Sequence, residues 1–547
     1  MNRLSGCAIL VFIYLSTPLY AQPQPYPGWP FKAIPYPSIT TVPNWCPELA
    51  NLDAMPDLEI LAGFGYDSLY AWKTDATNLS PWPKAPEPGF VHWGNIPTVG
   101  DVDGDRKLEI LVSSTPPRYI EPCKLHIFKN NGQELEGWPL VLPTWRHIKP
   151  VLADLNKDGK LEIIFNILVD DTLVYVYDYT GKPYPGWPQK VIYEPVWGNI
   201  GSFTPAVGDL DRDGNLEIVA FAWDNLYAWH SDGTLLPGFP VPPPTGYVYF
   251  INPVLADMEG DGTLEIVAQG YAPASGPDFT SFLTVLDHQG QAQSGFPRIF
   301  YDGFLYSAPC VGDIDKDGLK EIVVEQQGFP DWPEFKNLYL VRKDGTDYPG
   351  WPIWVPAASW YQIALADVDG DGFAEIITLD NLPVSGYASI YANRLDGSSP
   401  EGFPIRVIGS TAFHTPAFAD VDRDGTLDMA VISDHGVTVS RVDYYTYLFK
   451  LSGVPYDPST LLWPQYGHDD YNTNNADFKI SYKIGDPNAD GKINIVDIVF
   501  MVNYVFRRRL MPNPFWNCDV NCDTNVNLGD IIYLGNSVFK DGSPPCQ

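Results

Sequence analysis

The residues best suited to chemistry are acidic side chains that alternate along a short loop. Residues 209–217 place Asp209, Asp211 and Asp213 at the first, third and fifth positions, glycine at the sixth and Glu217 at the ninth. Hard cations such as Ca²⁺ take about six to eight oxygen ligands, which alternate positions of a curled loop supply. The glycine permits the sharp turn. The pattern predicts a calcium-binding loop, although Asp and Gly also form ordinary turns.

The loop recurs in phase along the chain. Eight copies begin 48 to 56 residues apart, and a period near fifty indicates an array of supersecondary units. The first copy has Asn51, Asp53 and Glu59 but carries Met55 where a third acidic ligand belongs. The predicted calcium ligands of the other copies are Asp101, Asp103, Asp105, Glu109, Asp154, Asn156, Asp158, Glu162, Asp209, Asp211, Asp213, Glu217, Asp257, Glu259, Asp261, Glu265, Asp313, Asp315, Asp317, Glu321, Asp367, Asp369, Asp371, Glu375, Asp420, Asp422, Asp424 and Asp428.

The elements that position these loops are short strands. After one loop, residues 216–221 and 226–229 form two apolar runs that are separated by the turn dipeptide 224–225. This arrangement is typical of a β-hairpin. A further turn and a Gly-Trp-Pro or Gly-Phe-Pro phrase close most units, so each unit offers about four strands. The expected fold is all-β, a propeller of eight four-stranded blades, or of seven if the incomplete first loop belongs to a degenerate unit.

The in-phase acidic loops resemble those of the FG-GAP and VCBS repeat propellers, the architecture of integrin alpha heads. The resemblance covers residues 24–475 and rests on the D-x-D-x-D-G-x-L-E loop. It implies a β-propeller in which calcium stabilises each blade. We expect residues 462–469 to finish the last blade, and the segment around Gly28 to pair with them when the ring closes.

A different calcium motif occurs twice near the C-terminus. Each copy places oxygen-bearing side chains at EF-hand positions, and an apolar helical stretch follows. The second copy lies 33 residues after the first and has Thr524 in place of the usual glycine. The predicted ligands are Asp486, Asn488, Asp490, Asn494, Asp497, Asp519, Asn521, Asp523, Asn527 and Asp530.

This duplicated loop and helix resembles a type I dockerin over residues 484–547, which predicts a small all-α domain with paired EF-hand-like loops. The resemblance implies docking to a cohesin-like domain and assigns the contact to Ile495, Val496, Leu528 and Gly529. Residues 476–483 are the expected linker.

Composition restricts the partners and the compartment. The formal net charge of −33 argues against nucleic acid as a partner, because nucleic-acid binding needs a basic face.

Residues 1–21 resemble a secretory signal peptide, and no later segment is apolar enough to span a bilayer. We therefore expect a secreted protein that is either free or attached to a cell-surface scaffold. Export permits disulfides, and a bridge from Cys518 or Cys522 to Cys546 is plausible.

Aromatic residues that precede the acidic loops could bind a ligand. Trp93, Trp145 and Trp360 belong to this set and could line one mouth of a propeller channel, where aromatic faces stack on sugars. Packing between blades is the alternative role. The leading hypothesis is an adhesion module that binds a polysaccharide or a surface protein. The alternative is a polysaccharide hydrolase or lyase, for which the sequence identifies no catalytic residue.

Overall fold

The computed structural model describes the two predicted domains in part. The described residues are 22–33, 46–53, 55–63, 68–85, 92–93, 96–105, 107–115, 122–144, 148–167, 173–190, 203–222, 224–273, 279–305, 307–328, 336–356, 359–380, 386–411, 413–438, 441–478, 485, 487, 493–507, 518, 520–521, 526–540 and 545. The predicted signal peptide lies outside them.

Eight antiparallel sheets form an eight-bladed β-propeller, so the prediction of eight blades is confirmed and the seven-bladed alternative is wrong. The innermost strands are β2 (Glu48–Ala50), β6 (Thr98–Gly100), β10 (Val151–Ala153), β14 (Ala206–Gly208), β18 (Val254–Ala256), β23 (Cys310–Gly312), β26 (Ala364–Ala366) and β30 (Ala417–Ala419). The second strands are β3 (Glu59–Gly63), β7 (Glu109–Thr115), β11 (Glu162–Ile167), β15 (Glu217–Ala222), β19 (Glu265–Tyr271), β24 (Glu321–Gly328), β27 (Glu375–Leu379) and β31 (Thr426–Thr438).

The outer half of each blade is less regular. The third strands are β4 (Leu69–Trp72), β8 (Cys123–Lys129), β12 (Leu173–Tyr177), β16 (Asn225–Trp229), β20 (Thr280–Leu286), β25 (Leu338–Val341), β28 (Tyr387–Asn393) and β32 (Arg441–Pro455). Outer strands are β9 (Leu140–Leu142), β13 (Gln189–Lys190), β21 (Arg298–Tyr301), β29 (Ile405–Ile408) and, in the last blade, β1 (Phe31–Lys32). In the other three blades a single bridge stands in for this strand. Short extra strands β5 (His92–Trp93), β17 (Val248–Tyr249) and β22 (Gly303–Leu305) pair with second strands.

The hydrophobic core lies between neighbouring blades. One cluster joins Leu61 and Trp82 of the first blade to Val99 and Ile110 of the second, and all four side chains are buried. Both faces of an inner strand are covered in this way, which explains why the second strands read as continuous apolar runs rather than alternating ones.

The N-terminal segment closes the ring. Phe31 and Lys32 pair with Thr446 and Tyr445 of β32, and the Tyr26 N–H donates to the Leu448 carbonyl at 2.9 Å. The expectation that residues 462–469 finish the last blade is therefore wrong, since β1 takes that place.

Residues 461–478, which we call the channel segment, line the inner wall of the ring instead. Backbone N–H groups of six innermost strands donate to carbonyls of this segment. The pairs are Val99–Asp470, Leu152–Tyr471, Val207–Thr473, Leu255–Asn474, Leu365–Trp463 and Phe418–Pro464. Propeller contacts continue to Phe478, which packs against Tyr471, so the first residues of the predicted linker are held by the ring.

The described C-terminal region consists mainly of two helices, α1 (Ile495–Arg507) and α2 (Leu528–Phe539), which pack on a small buried cluster around Met501 and Leu534. A short 3₁₀ helix, Pro458–Thr460, precedes the channel segment. Among the described residues, none of the helices combines the length and the apolar character needed to cross a membrane. Cys518 is buried and free, so the bridge from Cys518 is not formed; Cys522 and Cys546 lie outside the described residues.

Candidate metal centres and docking face

All eight acidic loops lie on one rim of the propeller, which we call the loop rim. Each loop joins an innermost strand to the second strand of the same blade, and antiparallel pairing brings all such connections to one end of the sheets. The chain also leaves the propeller at this rim. The Asp257 N–H donates to Asp477 at 2.6 Å, and Lys320 pairs with the same carboxylate at 2.7 Å.

The ninth-position carboxylate fixes the start of every loop. One of its oxygens accepts a hydrogen bond from the backbone N–H of the second loop residue, at 2.8 to 3.1 Å in all eight blades. The acceptors are Glu59, Glu109, Glu162, Glu217, Glu265, Glu321, Glu375 and Asp428. The other oxygen differs from blade to blade: Glu162 Oε1 accepts from Asn156 at 3.3 Å, whereas Asp428 Oδ1 accepts from the Tyr26 hydroxyl at 2.8 Å.

The first-position aspartate curls the loop. In six blades its carboxylate accepts from the N–H of the sixth-position glycine at 2.7 to 3.1 Å, as Asp209 does from Gly214. A φ of +85° at Gly214 lies in the left-handed region that favours glycine, which explains why this position needs glycine.

The donor set fits Ca²⁺. Ligating oxygens of Asp101, Asp103 and Glu109 lie within 4.8 Å of one another, and those of Asp313, Asp315 and Glu321 do the same. The Glu109 side chain is fully buried, and its Oε1 has no hydrogen-bond partner among the described residues. Burial, reinforced by the charge of Asp103, raises the pKa of Glu109 to about 8 without a cation. A divalent ion would satisfy this oxygen and remove the repulsion.

A residue at the end of the third strand faces each loop and belongs to no motif in the sequence. In most blades this residue directly follows the third strand, and in the second blade it is Lys129, the last residue of β8. It lies opposite the ninth loop position, as Lys129 lies opposite Glu109. In the fourth blade it is His230, whose Nδ1 is 3.3 Å from Glu217 Oε1 and close to Asp211. In the sequence this residue is marked only by its constant position, immediately before the turn that follows the third strand.

The C-terminal ligands are described only in part, because Asp486, Asn488, Asp490, Asp519 and Asp523 lie outside the described residues. Asp530 is buried and accepts from the Val520 and Asn527 N–H groups, both at 2.9 Å. Asp497 accepts from the Asn494 N–H at 2.7 Å. These bonds tie the last position of each loop to its ninth position and, in the second loop, also to its second position. Asn521 lies in a turn beside Val520.

The predicted partner contacts lie at the helix starts. Ile495, Val496 and Leu528 are 55%, 52% and 49% exposed, and Gly529 follows Leu528 in the first turn of α2. Both helices continue this apolar surface, with Val499 and Phe506 on α1 and Ile532 and Phe539 on α2. Each of these α1 residues and its α2 counterpart are 33 residues apart, as the duplication requires.

The three predicted ligand-binding tryptophans are unevenly described. Trp360 is half-buried, and its ring centroid lies 5.3 Å from that of Phe413 in the next blade. The backbone of Trp93 forms β5, whereas Trp145 lies outside the described residues. Two further aromatics of the same series, Phe203 and Tyr249, are buried in a core cluster and cannot contact a ligand.

Polar side chains inside the channel form a second group of titratable residues. Gln465 donates to Glu48 at 3.0 Å and to Asp470 at 3.1 Å. Burial and then the charge of Asp470 raise the pKa of Glu48 well above its usual range, while burial and Asp469 raise that of Asp470 to about 6. Glu48 is 1% exposed, so its carboxylate lies out of reach of a polymer substrate.

Comparisons with known proteins agree with both domains. An FG-GAP-like repeat is found at residues 154–220 and a dockerin type I domain at residues 484–538, which confirms both resemblances. FG-GAP-like repeats and type I dockerins generally bind calcium, and type I dockerins bind cohesin. No curated relative matches the sequence.

Among solved structures, the chain is similar to the biofilm matrix protein Bap1 of V. cholerae. The TM-score is 0.52 at 14% identity, covering 83% of this chain and 96% of Bap1. BBS1N in complex with ARL6DN has a TM-score of 0.34 at 12% identity, covering 76% of this chain and 96% of that one. The similarity to Bap1 indicates a shared fold and nothing further.

Proposed function

We propose that the protein is an exported binding module, anchored to a cohesin-bearing scaffold by its C-terminal domain and stabilised by calcium in the propeller loops. The observation that carries the proposal is the union in one chain of a dockerin type I domain and a propeller whose eight acidic loops share one geometry. The role of the propeller is to present a ligand face.

The docking face is the apolar surface at the starts of α1 and α2. Exposed apolar residues that recur on a small domain mark an interaction site, and Ile495, Val496 and Leu528 are all about half exposed. Ile495 and Leu528 begin the two helices at equivalent positions of the duplication. We assign them the central contacts with cohesin.

Calorimetric titration of the full chain against type I cohesin domains in calcium tests this assignment. The double variant Ile495→Asp/Leu528→Asp is expected to bind at least about a hundredfold more weakly, because each change places a charge in a desolvated interface. The matched control is Val141→Asp on β9, an apolar residue that is 63% exposed but belongs to the propeller. Unchanged binding by the double variant would refute the assignment.

We place the ligand face on the rim opposite the loop rim. The channel segment crosses the inner strands and leaves the ring at the loop rim, which makes that side the anchored one. Trp360 and Trp93 belong to segments that enter the innermost strands from the other side, and Trp145 precedes β10 in the sequence as Trp93 precedes β6. The matrix role of Bap1 is compatible with an adhesive face of this kind.

A glycan array probed with the full chain tests the ligand face. Substituting Trp93, Trp145 and Trp360 together by alanine is expected to abolish binding, whereas Trp354→Ala, at a 62% exposed tryptophan outside this set, is expected to leave it intact. Retained glycan binding by the triple variant would assign these residues to packing. Release of reducing ends or unsaturated sugars from polysaccharides would overturn the binding-only function in favour of a hydrolase or lyase.

A further inference from the structure

The residue that faces each acidic loop from the end of the third strand differs in charge from blade to blade. The register pairs Glu109 with Lys129 in the second blade and Asp428 with Lys450 in the eighth. Directly opposed residues in an antiparallel pair project to the same face of the sheet. In blade order, the residues at this position are Lys73, Lys129, Asp178, His230, Asp287, Arg342, Arg394 and Lys450.

Four blades place a basic side chain on the loop carboxylates. Lys129 Nζ lies 2.7 Å from Asp103 and 3.4 Å from Asp105, so one ammonium group bridges the third and fifth loop positions. Lys450 bridges Asp422, at 2.9 Å, and Asp424 in the same way. The other two pairs, both to the third position, are Lys73 with Asp53 at 3.2 Å and Arg394 with Asp369 at 2.8 Å.

Two blades carry a carboxylate at the same position. Asp178 Oδ1 accepts backbone N–H groups of the outer turn, from Thr180 at 2.9 Å and Lys182 at 3.0 Å. Asp287 Oδ1 makes the equivalent bonds in the fifth blade, but there Lys343 of the next blade lies 3.4 Å from Glu259 and already supplies a positive charge to the loop. The register pairs Ile163 with Tyr177, so Asp178 follows this pair and lies opposite the loop carboxylate Glu162.

We propose that this single position sets the calcium affinity of each loop, so that the loop facing Asp178 binds Ca²⁺ tightly and those facing Lys129, Arg394 and Lys450 bind it more weakly. In the latter blades the tethered cation already neutralises the oxygens that an ion would use. Calcium must then displace the basic side chain or bind within a few ångströms of it, and like-charge repulsion at that range opposes binding. Eight similar loops thereby become sites of graded affinity.

The inference rests on the proposed calcium binding by the loops, and counting ions in variants of the full chain tests it. The chelator-treated protein is titrated with calcium, and bound ions are counted by native mass spectrometry alongside competition with a calcium-binding dye. Lys129→Met removes the charge and keeps the apolar stem. Asp178→Asn removes the opposite charge and keeps an oxygen that can accept the turn hydrogen bonds. The matched control is Lys107→Met, because the Lys107 ammonium lies 3.9 Å from Asp105 on an exposed side chain.

We expect Lys129→Met to add one tightly bound ion, with affinity at that loop at least about tenfold higher, which corresponds to about 1.4 kcal/mol. Asp178→Asn should weaken one tight site by a similar factor, and Lys107→Met should change neither number. Equal responses of Lys129→Met and Lys107→Met, or no response to Lys129→Met, would overturn the inference. If all complete propeller loops of the wild type bind calcium with equal affinity, the graded-affinity inference is wrong but the proposed role of calcium stands. If the propeller takes up no calcium, both are wrong.

Discussion

The hydroxyl group of Tyr466 connects the channel segment to three blades, and its removal is a sharp test of how that segment is held. The oxygen lies 2.8 Å from Thr204 Oγ1, 2.8 Å from Asn252 Nδ2 and 3.3 Å from Lys149 Nζ. The partners come from the fourth, fifth and third blades. Tyr466, Thr204 and Asn252 are all essentially buried, so water cannot replace the lost bonds.

The expected cost of Tyr466→Phe is about 2–4 kcal/mol in the free energy of unfolding. A buried polar group left without its partner costs about 1–3 kcal/mol, and this substitution affects two neutral groups and one charged group. Two contacts reduce the cost. Asn252 still accepts the Thr204 N–H at 2.8 Å, and Lys149 still lies over the Tyr361 ring at 4.2 Å.

Denaturant unfolding in saturating calcium measures the difference, with Tyr301→Phe as the matched control because Tyr301 is 68% exposed. The control is expected to stay within about 0.5 kcal/mol of the wild type, as is usual for surface substitutions. If Tyr466→Phe unfolds at the same denaturant concentration as Tyr301→Phe, the hydroxyl does not hold the segment and the reasoning fails.

Two further predictions concern charge. Because burial raises the pKa values of Glu48 and Asp470 in the folded state, their contribution to stability is favourable below about pH 4 and is lost as pH rises, through about 6 for Asp470. Glu48→Gln should therefore raise the denaturant midpoint of unfolding relative to the wild type at pH 7.5 but leave it unchanged at pH 4. The control is Glu401→Gln at an exposed position. An equal change of the Glu48→Gln midpoint at both pH values would contradict this prediction. Chelation of calcium should lower the melting temperature, since it leaves the loop carboxylates to repel one another, and an unchanged melt would contradict the calcium assignment.

The blade number could be predicted because each acidic loop is a local structure. The spacing of its ligands, its glycine and its ninth-position carboxylate all lie within nine residues, and eight repetitions fixed the phase. Ring closure could not be predicted in the same way. The closing strand, Phe31–Lys32, has two residues, and its partners Thr446 and Tyr445 lie more than 400 residues away. Short strands carry too little pattern to identify such a partner.

The path of the channel segment could not be predicted, because its polar run at residues 472–475 has no hydrophobic pattern that indicates burial. Asn472, Thr473, Asn474 and Asn475 are at most 2% exposed. Their amide groups are satisfied by distant acceptors, such as the Pro205 carbonyl for Asn474 at 3.1 Å and the Val207 carbonyl for Asn475 at 3.0 Å. A polar run is buried when such partners exist, and only the closed ring supplies them.

The path of this segment bears on how an anchored propeller would carry load. Tension applied through a docked C-terminal domain reaches the propeller at Asp477 and Phe478, which contact different blades. From there the hydrogen bonds to six innermost strands distribute it around the ring. A tail attached to the edge of one blade would instead concentrate the tension on that blade and separate it from its neighbours. Central attachment therefore suits a protein held on a scaffold by one end while its opposite rim holds a ligand.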